Sequence, residues 1–416
     1  FPLLLPAHTN LVQVADKAVW QKDEALYLSL EEQLEVGLRV SSHGHVEFFD
    51  VRDAQLLEES PLIEEDSVDL VHAVESIEHN GMVAIAADNG EIRIFRHQYE
   101  TQFSGGVESK KIVPSVEFPY QEQPVLVMPE GDISALAYSD GDSRMVLAAA
   151  NPPGLVRLVR GAKTENFLTG DVSLDMEESA FEVDFTITAL AVSGNHRWLY
   201  LGDDHGLIHR FQIPELTPDQ VIQVSEFPIT SMTMLLGGTS ILAGDEQGII
   251  SQLFPVRDEG NQFSLQLIRQ FENLESPIVS ILPEQRRKGF LVLTQDNDLA
   301  IFHSTSGQLV QRDSLQELNP LALALAPRAN GLLIEGGEGQ LALLEIENEH
   351  PEISFSSLWQ KVWYENYDEP QYVWQSSSAS TDFEPKFSLT PLVFGTFKAA
   401  LYAMLFAIPL ALMGAA

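Results

Sequence analysis

The sequence predicts an all-β chain, a seven-bladed β-propeller, followed by a short linker and the start of a transmembrane helix. Three observations carry that expectation. A unit of apolar run, tight polar turn and alternating strand recurs about seven times, its turns lie roughly 40 to 65 residues apart, and the last 18 residues contain no charge. Chain length permits this, because 416 residues bury a sizeable core without staples.

The clearest repeats are Met82 to Phe95, with the turn Asp88-Asn89-Gly90, then Trp198 to Phe211, with Asp203-Asp204-His205-Gly206, and Ile241 to Ile250, with Asp245-Glu246-Gln247-Gly248. Weaker copies centre on Gly44, on Asn151-Pro152-Pro153-Gly154, on Asp296-Asn297-Asp298 and on Gly336-Gly337-Glu338-Gly339. Asn or Gly late in such a turn supplies the positive φ that a tight hairpin needs, and an Asp side chain bonds its own backbone ahead. Each unit is therefore a hairpin. Apolar strands precede several hairpins, as at Ile133 to Tyr138, Ile187 to Val192, Ile229 to Met234 and Leu321 to Leu325, and a further strand trails each, as at Phe263 to Ile268. Their period of two is that of a sheet, and four strands per unit make a WD40-like blade. Radial stacking covers both faces of sheets that cannot stand alone. A pair of β-sandwiches is the competing architecture, and it predicts no repeated turn.

Composition removes several function classes. With 24 Lys and Arg against 61 Asp and Glu, the formal charge is −37, which opposes nucleic-acid binding because phosphate neutralisation needs clustered cations. The absence of cysteine excludes thiolate metal sites, iron–sulfur ligation and a Cys nucleophile. No Walker loop, dinucleotide fingerprint, HExxH or GxSxG occurs, so no catalytic residue and no cofactor is assigned and the chain is not read as an enzyme. His43, His45 and Glu47 alternate along one strand as a metal candidate, and Asp203, Asp204 and His205, with Asp245 and Glu246, as a calcium candidate. Turn chemistry explains both sets, so no metal is assigned. The acidic runs Glu58-Glu59 and Glu64-Glu65-Asp66 read as solvated loops.

Three segments follow: residues 1–350 as the propeller, 351–390 as an aromatic-rich, membrane-proximal linker, and 391–416 as the start of a transmembrane core. A chain opening on Phe1 suggests a fragment with something removed upstream. The linker holds Trp359, Trp363 and Trp374 with Tyr364, Tyr367 and Tyr372, residues suited to the headgroup layer. Leu358, Trp359, Val362 and Trp363 fall at helical spacing, so the segment either lies along the membrane as a short helix or caps the propeller. Ser376 to Ser380 reads as a flexible joint. From Ala399 to Ala416 a helix spans about 27 Å, close to the hydrocarbon thickness of a bilayer. Gly395, Ala399, Ala403, Ala407, Ala411 and Ala415 form a small-residue ridge, which with Pro409 suits a helix packed among others in lipid.

The stretch Phe383 to Leu412, with its Gly395-Thr396 pair, small-residue helix and Ala407-Ile408-Pro409-Leu410-Ala411, resembles the entry into the PstC-type permease subunit of the bacterial phosphate-specific ABC transporter. It is similar to the large variant carrying an extracytoplasmic N-terminal domain. The resemblance covers under a tenth of the chain and its pattern is shared by other ABC importer permeases. It implies an accessory docking domain of a phosphate importer in the bacterial inner membrane, with residues 1–390 on the periplasmic side. Implied partners are the other permease subunit, an ATPase subunit that hydrolyses ATP, and a substrate-binding protein. A membrane-tethered periplasmic scaffold for envelope protein assembly is the alternative. A propeller hydrolase or quinone-dependent dehydrogenase would need a convergent polar cluster in the central channel.

Overall fold

Six apolar residues in a row are ambiguous alone, but Met82–Ala87 shows how the propeller uses them. Val83, Ile85 and Ala87 join one hydrophobic cluster, whereas Met82, Ala84 and Ala86 join the next. A strand with neighbours on both faces has no solvent side, so alternation sends its side chains into two cores. The same division places Met145, Leu147 and Ala149 on one side of a blade and Val146, Ala148 and Ala150 on the other.

The computed structural model describes residues 7–15, 24–63, 68–103, 110–129, 132–152, 154–165, 172–337, 339–377 and 384–415. Phe1 to Pro6, the run Glu64-Glu65-Asp66, and Ser378 to Ser380 of the proposed joint lie outside them, as do Pro153, Glu338 and Ala416. The chain folds as a seven-bladed β-propeller with an apolar C-terminal helix. Blade 1 runs from Ala25–Leu30 to Leu56–Pro61, blade 2 from Leu70–Glu75 to Lys110–Glu117, and blade 3 from Ala135–Asp140 to Val172–Glu182. Blade 4 runs from Ile187–Val192 to Thr217–Gln223, blade 5 from Ile229–Met234 to Phe263–Gln270, and blade 6 from Ile278–Pro283 to Gln308–Ser314. Blade 7 takes three strands, Pro320–Leu325, Gly331–Gly336 and Leu341–Glu347, from the C-terminal side and its fourth, His8–Ala15, from the N-terminal side. The ring is closed by that antiparallel pairing. In blade 2 the short strand Leu126–Val127 also pairs with the third strand.

Seven buried clusters fill the seven gaps between neighbouring blades, from Phe48 against Phe95 to Phe49 near Leu333 and Leu341. Between blades 5 and 6, Phe290 and Phe302 stack at 5.3 Å with Phe271 edge-on to both. A polar lock joins blades 1 and 7. Arg39, fully buried, donates through Nε to Glu335 at 2.8 Å and through NH1 to Glu47 at 2.9 Å, while Ala25 N donates to Glu335 at 3.1 Å.

Every predicted turn contains a residue with positive φ: Gly44, Gly90, Gly154, Gly206, Gly248, Asn297 and Gly339. At Gly206 the requirement is steric as well, since a Cβ there would stand 2.2 Å from Ser225 O. Asp203 organises this turn, its Oδ1 accepting from His205 N at 2.9 Å and Leu207 N at 2.8 Å.

Candidate functional site: two unlike faces and a central channel

Antiparallel blades divide their loops between two faces. The hairpin turns between second and third strands share one face with the connections from blade to blade, here called the turn face. Loops between first and second strands, and between third and fourth, make the opposite face. Between residues 41 and 340, the connecting segments of the turn face contain no Lys or Arg at all, whereas Arg52, Arg197, Arg286, Arg287, Lys288 and Arg328 all lie in loops of the opposite face. The net negative charge is therefore polarised across the disc. Such a field attracts cations and basic proteins to one side.

The linker docks on the opposite face, under blades 5 and 6. Lys288 Nζ lies 2.7 Å from Glu365 Oε2 and 2.5 Å from Leu236 O, and Ser240 Oγ donates to Glu365 Oε1 at 2.5 Å. Arg269 donates to Trp363 O at 2.5 Å and to Thr305 O at 2.6 Å. Ser306 Oγ donates to Pro351 O at 3.2 Å. Trp363 packs edge-on against Phe254 at 6.2 Å and its Nε1 donates to Tyr367 O at 2.9 Å. These are propeller contacts, so this stretch of the linker caps the disc.

The linker helix is shorter than the spacing of its apolar residues predicts. It covers Phe355–Trp359, started by a Ser354 capping box, and stops at Gln360, which is extended. Val362 instead forms a bridge with Gln371. Five residues make too few hydrogen bonds to hold a helix, and the tertiary contacts of Trp363 and Glu365 decide the path. Trp359 and Trp374 remain 41% and 43% exposed.

Buried charge concentrates where the linker enters the terminal helix. The strands Trp374–Gln375 and Lys386–Phe387 pair, and Glu384 beside them is pushed up to about 7, first by burial and then by Glu365, against the pull of Lys288, Arg269 and Lys386. Its Oε1 has no hydrogen-bond partner. Leu389 N donates to Leu358 O at 2.8 Å, which ties the residue just before the next helix to the linker helix. That helix, Thr390–Ala415, is about 39 Å long and has no buried residue, and it is long and apolar enough to cross a membrane. Gly395, Ala399, Ala403, Ala407, Ala411 and, at its end, Ala415 all lie on it.

The central channel is lined by the first strands and holds a cavity of about 380 Å³. On the side of blades 1 and 2, Glu75 sits between Tyr27 Oη at 3.4 Å and His79 Nδ1 at 3.8 Å. Burial raises the Glu75 carboxyl, but His79, His97 and Tyr27 outweigh it and hold the group below its usual range. Opposite stand Met232, Met234, Ile281 and Leu282. At the linker-face end, Ile77 reaches across from blade 2 to the blade 4–5 cluster, next to Gly194 and Gly238. Its neighbour Glu78 would be raised by burial, yet hydrogen bonds from His196, Ser76, Asp140 N and Ser139 bring it down to about 2. The channel thus narrows toward the linker.

Neither metal candidate departs from ordinary turn and strand chemistry. His43 lies 3.9 Å from Asp69, His45 lies 3.3 Å from Glu59, and Glu47 accepts from Arg39, so these three do not converge. Asp203, Asp204 and His205 bring ligand atoms within 4.8 Å of one another. However, Asp203 Oδ1 is committed to the turn and Oδ2 lies 2.8 Å from His209 Nε2. Asp245 repeats the arrangement, accepting from Gln247 N, Ile249 N and Ser225 Oγ.

No family model and no curated protein matches this sequence. Solved structures match the fold. The β-propeller domain of Cps50 (Swd1) from Myceliophteria thermophila aligns with TM-score 0.53 at 12% identity, over 81% of this chain and 99% of that one. Raptor from Chaetomium thermophilum aligns with TM-score 0.55 at 13% identity, over 83% of this chain and 29% of that one. A chain of the Mitotic Checkpoint Complex aligns with TM-score 0.51 at 12% identity, over 82% and 91%. At these identities the likeness is one of fold alone.

Proposed function

We propose that this chain is the extracytoplasmic docking propeller, with the start of the transmembrane core, of the permease subunit of a bacterial phosphate importer. One observation carries the docking part of the reading: the linker clamps the propeller's opposite face next to the apolar helix, through Glu365, Trp363 and Leu389. With the helix in a bilayer, the turn face, whose connecting segments between residues 41 and 340 hold no Lys or Arg, points away from the membrane and is presented to proteins. The resemblance of Gly395-Thr396 and Ala407-Ile408-Pro409-Leu410-Ala411 to importer permeases supports the transport part. A propeller is a non-enzymatic interaction scaffold in this reading, and ATP hydrolysis belongs to another subunit.

Phosphate uptake in cells whose chromosomal copy lacks residues 25–347 tests the proposal, together with recovery of an ATPase subunit on the tagged, undeleted chain. Loss of uptake with ATPase recovery is expected. Unchanged uptake and no ATPase recovery would overturn the importer reading in favour of a membrane-tethered envelope scaffold.

A further inference from the structure

The first strand of each blade enters the channel from the turn face, and in six of the seven its second residue is set apart from the ladder. In six blades the register with the next strand slips there, between Ala25 and Tyr27, Leu70 and His72, Ile187 and Ala189, Ile229 and Ser231, Ile278 and Ser280, and Pro320 and Ala322. A bulge of this kind re-aims the extra side chain. Blades 3, 4 and 5 place hydroxyls at this level, and each is satisfied internally: Ser134 Oγ donates to Ala150 O, Thr188 Oγ1 to Gly202 O and Thr230 Oγ1 to Ile278 O, at 3.3, 3.2 and 2.6 Å. The remaining blades, 6, 7, 1 and 2, are consecutive and place Val279, Leu321, Leu26 and Val71 there. Val279 is 54% exposed, Leu321 42% and Val71 38%.

The channel mouth thus carries hydroxyls on three blades and apolar side chains on four, of which Leu26 is half-buried against the cluster between blades 1 and 2. Close contact between neighbouring first strands runs round the ring from blade 7 through blade 1 to blade 6 and thins between blades 6 and 7, beside the two most exposed members of the crescent. Around it stand exposed Glu275, Asp296, Glu317 and Asp69, and among the described residues none of the four pairs with Lys or Arg, although Arg312 donates to Leu274 O at 3.2 Å and the sequence leading into Leu26, residues 16–24, sets Lys17 and Lys22 against Asp16, Asp23 and Glu24. An anionic bilayer is repelled by this field, and the apolar helix leaves from the other side.

We propose that this mouth docks a basic, extracytoplasmic protein segment, an apolar residue of which seats on the Val279–Leu321–Leu26–Val71 crescent while flanking Lys or Arg side chains meet the surrounding carboxylates. Apolar contact supplies the anchor and charge supplies steering and register. The compartment of the partner rests on the orientation proposed above. The surface itself does not, so binding by purified protein and uptake by cells can fail separately.

The test is fluorescence anisotropy with the full chain in nanodiscs and a labelled twelve-residue probe peptide, two central leucines flanked by lysines, against a control peptide with both leucines replaced by serine. The crescent variant is Val279→Ser with Leu321→Ser, and the surface control is Leu57→Ser with Val221→Ser. All four side chains are exposed, so folding is preserved. Expected is about tenfold weaker binding for the control peptide and for the crescent variant, with the surface control unchanged and binding falling as salt rises. Equal affinity for both peptides, or full affinity of the crescent variant, would reduce the effect to general attraction by an acidic protein and overturn the proposal.

Discussion

Replacing Glu384 by Gln separates the charge at the linker clamp from its shape. Burial and the neighbouring Glu365 raise the native carboxyl from 4.5 to about 7. Because the folded-state value is raised, the native protein holds a proton that the released linker gives up once the pH exceeds about 4.5. Docking is therefore favoured below that pH, weakens as pH climbs toward 7, and stays weakened above it. A gap of that size corresponds to about 3 kcal/mol. Gln keeps the volume and removes the ionisation, so E384Q should leave docking unchanged at pH 4.5 and strengthen it by roughly 2 to 3 kcal/mol at pH 8. Hydrogen exchange at the amides of Val362 and Leu389, which bond to Gln371 O and Leu358 O, reports opening of the linker directly. Identical protection of wild type and E384Q at pH 8, or a difference that persists at pH 4.5, would refute the account.

Three further outcomes follow from the geometry. Glu335→Ala deprives fully buried Arg39 of its bonds to blade 7 and should cost about 3 kcal/mol in denaturant unfolding, a loss under 1 kcal/mol counting against the lock between blades 1 and 7. Gly206→Ala meets both a positive φ of 76° and the Ser225 carbonyl, and should cost about 1 to 3 kcal/mol by the same assay, whereas Gly307→Ala, with open space around it, should lose only the left-handed backbone term of about 1 kcal/mol. Glu78 has the opposite sign to Glu384, since its lowered value adds stability that is present above about pH 4.5 and lost as the pH falls toward 2. In Glu78→Gln the acid limb of an unfolding-midpoint profile should flatten between those values.

The blade architecture was legible because its signals are local. Asn89-Gly90, Gly206 and Gly248 announce their turns, and the apolar runs before them mark the strands. His8–Ala15 escaped the sequence reading because it is a largely exposed outer strand without regular alternation, and its partner lies more than three hundred residues away. The clamp escaped for a similar reason: Glu365 is joined to Ser240 and Lys288, and Trp363 to Arg269 and Phe254, by distances in sequence that no local pattern encodes. Helical spacing of Leu358, Trp359, Val362 and Trp363 was real, but contacts with the disc overrode it. Charge polarity between faces becomes visible only after antiparallel topology assigns each loop to a side, and the apolar crescent only after the bulges are located.

The pairing of His8–Ala15 with Leu341–Glu347 also fixes how the molecule bears tension. A pull along the terminal helix is first carried by the small contacts at Leu389, Glu365 and Trp363, which yield one by one. Beyond them the load reaches Leu341–Glu347, which is held on both edges, by Gly331–Gly336 and by His8–Ala15. A strand hauled along its own axis between two partners must break both ladders together, in shear. The linker therefore acts as a mechanical fuse, releasing the disc from its mount before the ring itself is opened.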